Sequence, residues 1–218
     1  MCYAVKRVSK FCMSLQRTDV VVKGLEILQR DGVDGLTLRK LAAELDIQAA
    51  SLYTHVKSKR DLLDEMAEEI LHAQFPNMPE PKNEEEWQVW FKRVVHGVRT
   101  SLLTYRDGGL VAAGVNPRRA KTYARLGAHM LTVLCERYNF DVSIAGRLVS
   151  TALVYTYGSV IEEQNTPSIE EMQANGAAVE DYFSPEMKQK LAAAAKDFTD
   201  ITDFFDQALD LIIHGVVS

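Results

Sequence analysis

Apolar residues recur at helical spacing along nearly the whole chain, and no Asn-Gly or Asp-Gly turn separates segments of alternating polarity, which predicts an all-α fold. A first helix over residues 16–31 places Val21, Leu25 and Leu28 on one face and stops at Asp31-Gly32, where glycine tolerates a left-handed cap. The second runs from the N-cap Thr37 to Leu45, with Leu38, Leu41, Ala42 and Leu45 at i, i+3, i+4 and i+7. Asp46-Ile47-Gln48 makes the turn into a third helix over 49–56, too short to stand alone and dependent on packing Leu52 and Val56 against the first two. Ser58-Lys59-Arg60-Asp61 reads as a capping-box-like start for a fourth, whose Leu62, Leu63, Met66 and Ile70 continue an apolar face.

Pro76, Pro79 and Pro81 then interrupt the pattern, because proline removes helical donors and favours extended backbone. The expected organisation is an extension over 1–15, a small helical domain over 16–75 that includes the linking fourth helix, a linker over 76–83 and a larger helical domain over 84–218. In the larger domain, Asn83 is expected to cap a helix through about Thr104 containing Trp87, Trp90, Phe91, Val94 and Val98. Asn116-Pro117 should open another, Asp141 a third reaching Gln164, and Ser184-Pro185-Glu186 a shorter one. Thr166 to Phe183 is acidic and poorly periodic, as in a surface loop. Over 201–216, Ile201, Phe204, Phe205, Ala208, Leu209, Ile212, Ile213 and Val216 cover more than one stripe, so this helix should be buried on two sides, one of them by a second subunit.

The 218 residues are 47% hydrophobic and 25% charged, enough apolar material for a core, and the net charge of -5 hides an asymmetry. Residues 1–60 hold 11 Lys/Arg against 6 Asp/Glu, while the remainder holds 14 against 24. A basic head on an acidic body suits phosphate contact, where each neutralised phosphate releases counterions. Cys2, Cys12 and Cys135 are odd in number and widely spaced, which fits neither a disulfide framework nor a zinc site and points to a reducing cytoplasm. Lys6, Arg7 and Lys10 are not followed by a secretory apolar run, and Leu148 to Ile161 is shorter than the roughly 20 residues a membrane span needs. His55, His72, His96, His129 and His214 form no i, i+4 ligand pair, and neither a nucleophile-base pair nor a phosphate-cradling glycine loop is evident. Neither metal, cofactor nor catalysis is therefore expected.

Within the head, Gly35-Leu36-Thr37-Leu38-Arg39-Lys40-Leu41-Ala42 is followed by Ser51-Leu52-Tyr53-Thr54-His55-Val56-Lys57-Ser58-Lys59. This combination of cap, spacing and Leu-Tyr-x-His-x-x-x-Lys core resembles the DNA-binding domain of the tetracycline-repressor (TetR) family over about residues 16–72. The resemblance implies a helix-turn-helix whose third helix enters the major groove. Ala50, Ser51, Tyr53 and Thr54 point away from the Leu52/Val56 stripe and can reach DNA: Ser51 and Thr54 donate or accept, Ala50 meets a thymine methyl, and Tyr53 suits phosphate or sugar. Thr37 and Arg39 on the second helix, Gln48 at the turn and Lys59 at a helix N-terminus, where amides also attract phosphate, complete the candidate set. His55 reads either as a contact or as a structural histidine, and Tyr53 could equally be core.

More weakly, Trp87-Gln88, Tyr105-Arg106-Asp107-Gly108, Gly114, Asn116-Pro117 and Tyr157 to Gln164 resemble the inducer-binding and dimerisation domain of the family's tetracycline-binding members. Their drug-binding residues do not carry over. Ala112 stands where they have a magnesium-binding His, Val115 replaces a Thr, Phe75 a His, Val94 an Asn and Val98 a Phe, while Glu162 matches an acidic position near the metal. The resemblance thus implies a pocket more apolar than theirs and without magnesium, lined by Phe75, Trp90, Val94, Val98, Ala112, Val115 and His129. The same residues at helical spacing can equally be core. The expected function is a repressor that binds palindromic operator DNA as a homodimer, pairing through the helices near 142–164 and 201–216, and is released by a small, largely apolar inducer. The alternatives are a DNA-binding regulator without an inducer and an α-helical enzyme or ligand carrier. Residues 1–15 either precede an alternative start at Met13 or form a basic arm for the minor groove.

Overall fold

The structure is a computed structural model and is described for residues 15–166, 183–194 and 201–215. The expected arm or extension before residue 15, the loop proposed for 166–183 and the end of the last helix therefore lie largely outside the described residues.

All the regular structure in the described residues is helical. A head is formed by α1 (Arg17–Gly35), α2 (Leu38–Glu44), α3 (Ala49–Leu52) and α4 (Lys59–Gln74). A body follows with α5 (Trp87–Leu103), α6 (Gly108–Ala112), α7 (Lys121–Glu136), α8 (Val142–Asn165), α9 (Pro185–Ala194) and α10 (Ile201–His214). Helix α4 belongs to both halves, packing against α1 on one side and against α5, α6 and α7 on the other. Helix α8 is the spine of the body, touching α5, α6, α7 and α10. Its length and apolarity would suit a membrane span, but its inward face, Ala145, Leu148, Val149, Ala152, Leu153, Thr156 and Val160, is buried in the protein.

Local signals place many boundaries. Thr37 Oγ1 accepts from Lys40 N at 3.1 Å, Ser58 Oγ from Asp61 N at 3.1 Å, and Asp141 Oδ1 from Ser143 N and Ile144 N, each satisfying donors that a helix start leaves open. Helix α1 breaks at Gly32 as expected, but not in a left-handed cap: its φ of 73° and ψ of 178° lie in a region essentially reserved for glycine, and a further turn follows to Gly35.

Three expected starts differ. Helix α5 begins at Trp87 rather than at Asn83, because Lys82 N binds Glu85 Oε2 at 2.8 Å and turns the chain before the helix. Helix α7 begins at Lys121 rather than at Pro117. Asn116 instead closes a turn on itself, with Arg118 N on its Oδ1 at 3.0 Å, and the α7 start is capped from a distance by Glu68 of α4, which accepts from Thr122 N and Oγ1. Helix α3 is shorter than expected, with turns carrying the chain on to Val56. Helix α6 has no counterpart among the sequence expectations. It depends on Gly108, where a Cβ would lie 2.0 Å from the Leu102 carbonyl oxygen. The proline segment is no loose linker either: Trp90 Nε1 donates to Pro79 O at 2.6 Å, Arg93 to Glu80 O and Arg137 to Lys82 O, pinning it to α5 and α7.

Candidate nucleic-acid interface

The turn between α2 and α3 sets the angle of the third helix. Asp46, at φ 55°, occupies the left-handed position after α2; its N–H bonds Ala43 O at 3.2 Å and that of Ile47 bonds Ala42 O at 3.0 Å, the two bonds of a Schellman cap. Asp is among the few non-glycine residues that adopt this conformation readily. From there α3 packs through Leu52 and, just past its end, Val56, both 1% exposed. Burying each contributes about 1.5–3 kcal/mol, which holds four helical residues that would not persist in water.

The opposite face is open. Gln48, Ala50, Ser51, Tyr53 and Thr54 are all exposed, Tyr53 at 53%, so the phenol belongs to the surface and not to the core. Thr54 Oγ1 donates to Ser51 O at 2.7 Å, which leaves its lone pairs outward. His55 is half-buried at the edge of this face. Thr37 and Arg39 sit exposed at the start of α2, beside the same surface.

The Lys and Arg side chains of the described head fall into three groups. Arg17 pairs with Glu65, Lys23 with Glu26, Arg30 with Asp31 and Glu44, Lys40 with Asp31, and Arg60 with Asp64. Two hydrogen bonds, from Arg30 first and then Lys40, hold the Asp31 carboxyl down at about 2. Lys59, expected to grip phosphate, turns its Nζ onto Val33 O at 2.5 Å inside the head. Arg39 and Lys57 are exposed and make no side-chain ion pair among the described residues, so their charges are available to a polyanion. Lys57 was not singled out from the sequence as a site residue. Its position in the turn between the third and fourth helices, next to the cap Ser58, was the available signal.

The head is tied to the body in two places. Along α4, Arg60 donates through Nε and Nη2 to Asp64 Oδ1 and through Nη1 to Ala113 O at 2.9 Å, while Asn116 N donates to the same Asp64 oxygen at 3.1 Å. Asp64 is 2% exposed. At the end of α1, Gln29 Oε1 accepts from Arg106 N, Arg106 Nη1 donates to Arg30 O, and Asp107 Oδ2 accepts from Val33 N at 2.7 Å.

The seven residues expected to line a pocket gather around α5. Phe75, Trp90, Val94, Val98 and Ala112 are buried, with Val115 and His129 partly so. They are closely packed: the Phe75 ring comes so near Gly97 that a Cβ there would lie 2.8 Å from its Cζ, and the Trp90 and His129 rings meet edge to face at 6.4 Å. His129 Nε2 lies 3.4 Å from Pro79 O, the carbonyl that Trp90 also uses. Ala112 offers no donor to a metal, Glu162 on α8 is exposed, and among the described residues no three His, Cys, Asp or Glu side chains are gathered around a common point. These residues do not fit a magnesium seat.

A cleft of about 380 Å³ runs between α8 and α10, lined by Ile144, Leu148, Thr151, Leu211 and Ile212. Nearby, Val142, Val154 and Leu211 are exposed at 63, 67 and 76%, while Phe205, Leu209 and Ile213 of α10 are buried within the chain.

Comparison with known proteins agrees with this architecture. Residues 21–66 match the model of bacterial regulatory proteins of the tetR family, and residues 78–218 match the tetracyclin repressor-like C-terminal domain. The tetracycline repressor protein class A from transposon 1721 of Escherichia coli is 32% identical over 202 residues, covering 93% of this chain and 90% of that one. Among solved structures, a TetR variant from Acinetobacter baumannii AYE in complex with minocycline superposes with a TM-score of 0.70 at 30% identity, over 93% of this chain and 96% of that one. A possible TetR family transcriptional regulator from Streptomyces coelicolor A3(2) gives 0.76 at 28%, over 92 and 98%. The helical head and the larger helical body are thus shared with these proteins, and the chain belongs to the TetR family as a ligand-responsive transcriptional repressor.

Proposed function

We propose that two copies of the chain pair through α8 and α10 and bind a palindromic double-stranded operator in the cytoplasm, one α3 helix per half-site. The observation that carries this is the uncompensated face: Gln48, Ala50, Ser51, Tyr53 and Thr54 point outward and are flanked by the unpaired cations Arg39 and Lys57. Arg39 and Lys57 supply phosphate attraction, the α3 side chains meet base edges, and Thr37, with the half-buried His55, lies at the margin. The apolar side chains left exposed on α8 and α10 give the second copy its seat. Two-fold pairing would set the recognition helices roughly 34–36 Å apart, one turn of DNA.

The inducer we assign to the region bounded by Phe75, Trp90, Val94, Val98, Ala112, Val115 and His129, which has no charged group other than an ionisable histidine and so suits a small, largely apolar molecule. Ala112 and Val115 flank the Ala113 carbonyl and the Asn116 amide that hold Arg60 and Asp64. A ligand forcing its way between them would displace this loop and with it α4. It favours release only as far as it binds the displaced state more tightly.

Duplexes selected by the protein from a random pool should be palindromic. In a gel shift on such a duplex, Arg39→Ala and Tyr53→Ala should each weaken binding about tenfold with no change in melting temperature; wild-type binding by both would overturn the assignment of this face. An apolar compound that raises the melting temperature should also lower operator affinity, and one that stabilises the protein without affecting the operator complex counts against the proposed seat.

A further inference from the structure

Lys59 and Asp107 lie 48 positions apart in sequence, in the head and the body respectively, yet both end on the backbone of one residue, Val33. Asp107 Oδ2 accepts from Val33 N at 2.7 Å, and Lys59 Nζ donates to Val33 O at 2.5 Å. We propose that Val33 is a joint through which the body fixes the placement of the recognition helix, with Asp107 and Lys59 as positioning residues for operator binding and Lys59 not a phosphate contact. This rests on the DNA-binding reading given above.

The local backbone is built for this joint. Gly32 stands at φ 73°, and a Cβ there would lie 2.7 Å from Asp107 Oδ2 and 3.2 Å from Arg106 Nε, so only glycine lets the body's turn approach this closely. Asp107 is itself in the left-handed region at φ 56°, a conformation that aims its carboxylate across the junction while it begins α6. Gln29 and Arg106 clamp the same turn from either side. On the far side of Val33, Lys59 is the first residue of α4 and follows directly on the segment from α3 through Val56 to Ser58. A shift of the α5–α6 turn would therefore move Val33, then Lys59, and with it the end of the recognition element. This path does not pass through Arg60, Asp64 or the proposed inducer region.

The test uses the full-length protein and a duplex of about 30 base pairs selected by the wild-type protein from a random pool, with affinity measured by fluorescence anisotropy over a series of salt concentrations. Lys59→Gln should bind about tenfold more weakly with an unchanged salt slope; a slope smaller in magnitude by about one would mean a lost phosphate contact and overturn the proposal. Asp107→Ala should weaken binding similarly and speed hydrogen exchange at the Val33 amide. Asp107→Asn keeps an acceptor oxygen, folds without the question of a missing side chain and should restore most of the affinity. Because both residues act on the backbone of the same residue, the double variant should lose scarcely more than the weaker-binding single one. Wild-type affinity in Asp107→Ala would overturn the joint while leaving the interface intact, whereas wild-type affinity in Arg39→Ala as well would mean that the interface itself is wrong.

Discussion

Replacing Asp64 by Ala removes the carboxylate at the centre of the second head-to-body connection. In the intact protein one oxygen, Oδ1, accepts from Arg60 Nε at 3.0 Å, Arg60 Nη2 at 2.8 Å and Asn116 N at 3.1 Å, while Arg119 Nε lies 3.9 Å from Oδ2. Breaking a fully buried ion pair from one side costs about 3–5 kcal/mol. Arg60 is 41% exposed, however, and can rehydrate when its partner is lost, so the full figure does not apply. What remains is the loss of charge-assisted bonds at a carboxylate that is itself buried, for a net destabilisation of about 2–3 kcal/mol. For a chain of this length that lowers the melting temperature by roughly 5–10 °C, measured at fixed protein concentration by calorimetry. A double-mutant cycle with Arg60→Ala should return a coupling of about 1–2 kcal/mol. A fall of less than 2 °C would refute the reasoning, as would additive single effects, since either would mean that the α6–α7 loop is held to α4 by something other than this pair.

Three other outcomes follow from the geometry. Gly108→Ala brings a Cβ to within 2.0 Å of a backbone carbonyl that cannot move aside without unwinding the end of α5, so chemical denaturation should show a loss of about 3 kcal/mol or more. Asp46→Gly relieves a left-handed non-glycine residue and should raise stability by up to about 1 kcal/mol while leaving operator binding unchanged. The Asp31 carboxyl, lowered to about 2 by Arg30 and Lys40, favours the folded state above its ordinary value near 4 and loses that contribution as the pH falls toward 2. NMR titration should place its midpoint near 2, and Arg30→Ala should move it upward.

What could be read from the sequence was what neighbouring residues decide among themselves. Thr37, Ser58 and Asp141 cap helices through side chains that reach two or three positions ahead, and the 3.6-residue period of Val21, Leu25 and Leu28 needs no knowledge of the partner surface. The outward face of α3 followed by subtraction, once Leu52 and Val56 had been assigned to the core. The starts of α5 and α7 and the course of Lys59 belong to a different class. Proline at position 117 is a good first helical residue in isolation, but Asn116 N is committed to Asp64, 52 positions earlier, and Glu68 caps the helix only from Lys121 onward. Lys59 has the charge and the place of a phosphate ligand, yet a carbonyl 26 positions away accepts its hydrogen bond. The body residues expected to line a pocket have the same spacing whether they enclose a ligand or one another, and in the structure Phe75 lies against Gly97. On the proposal made above, a ligand entering such a closed core would have to work against packing, and it would displace the Ala113–Arg60 contact only as far as its binding to the opened packing exceeds that work.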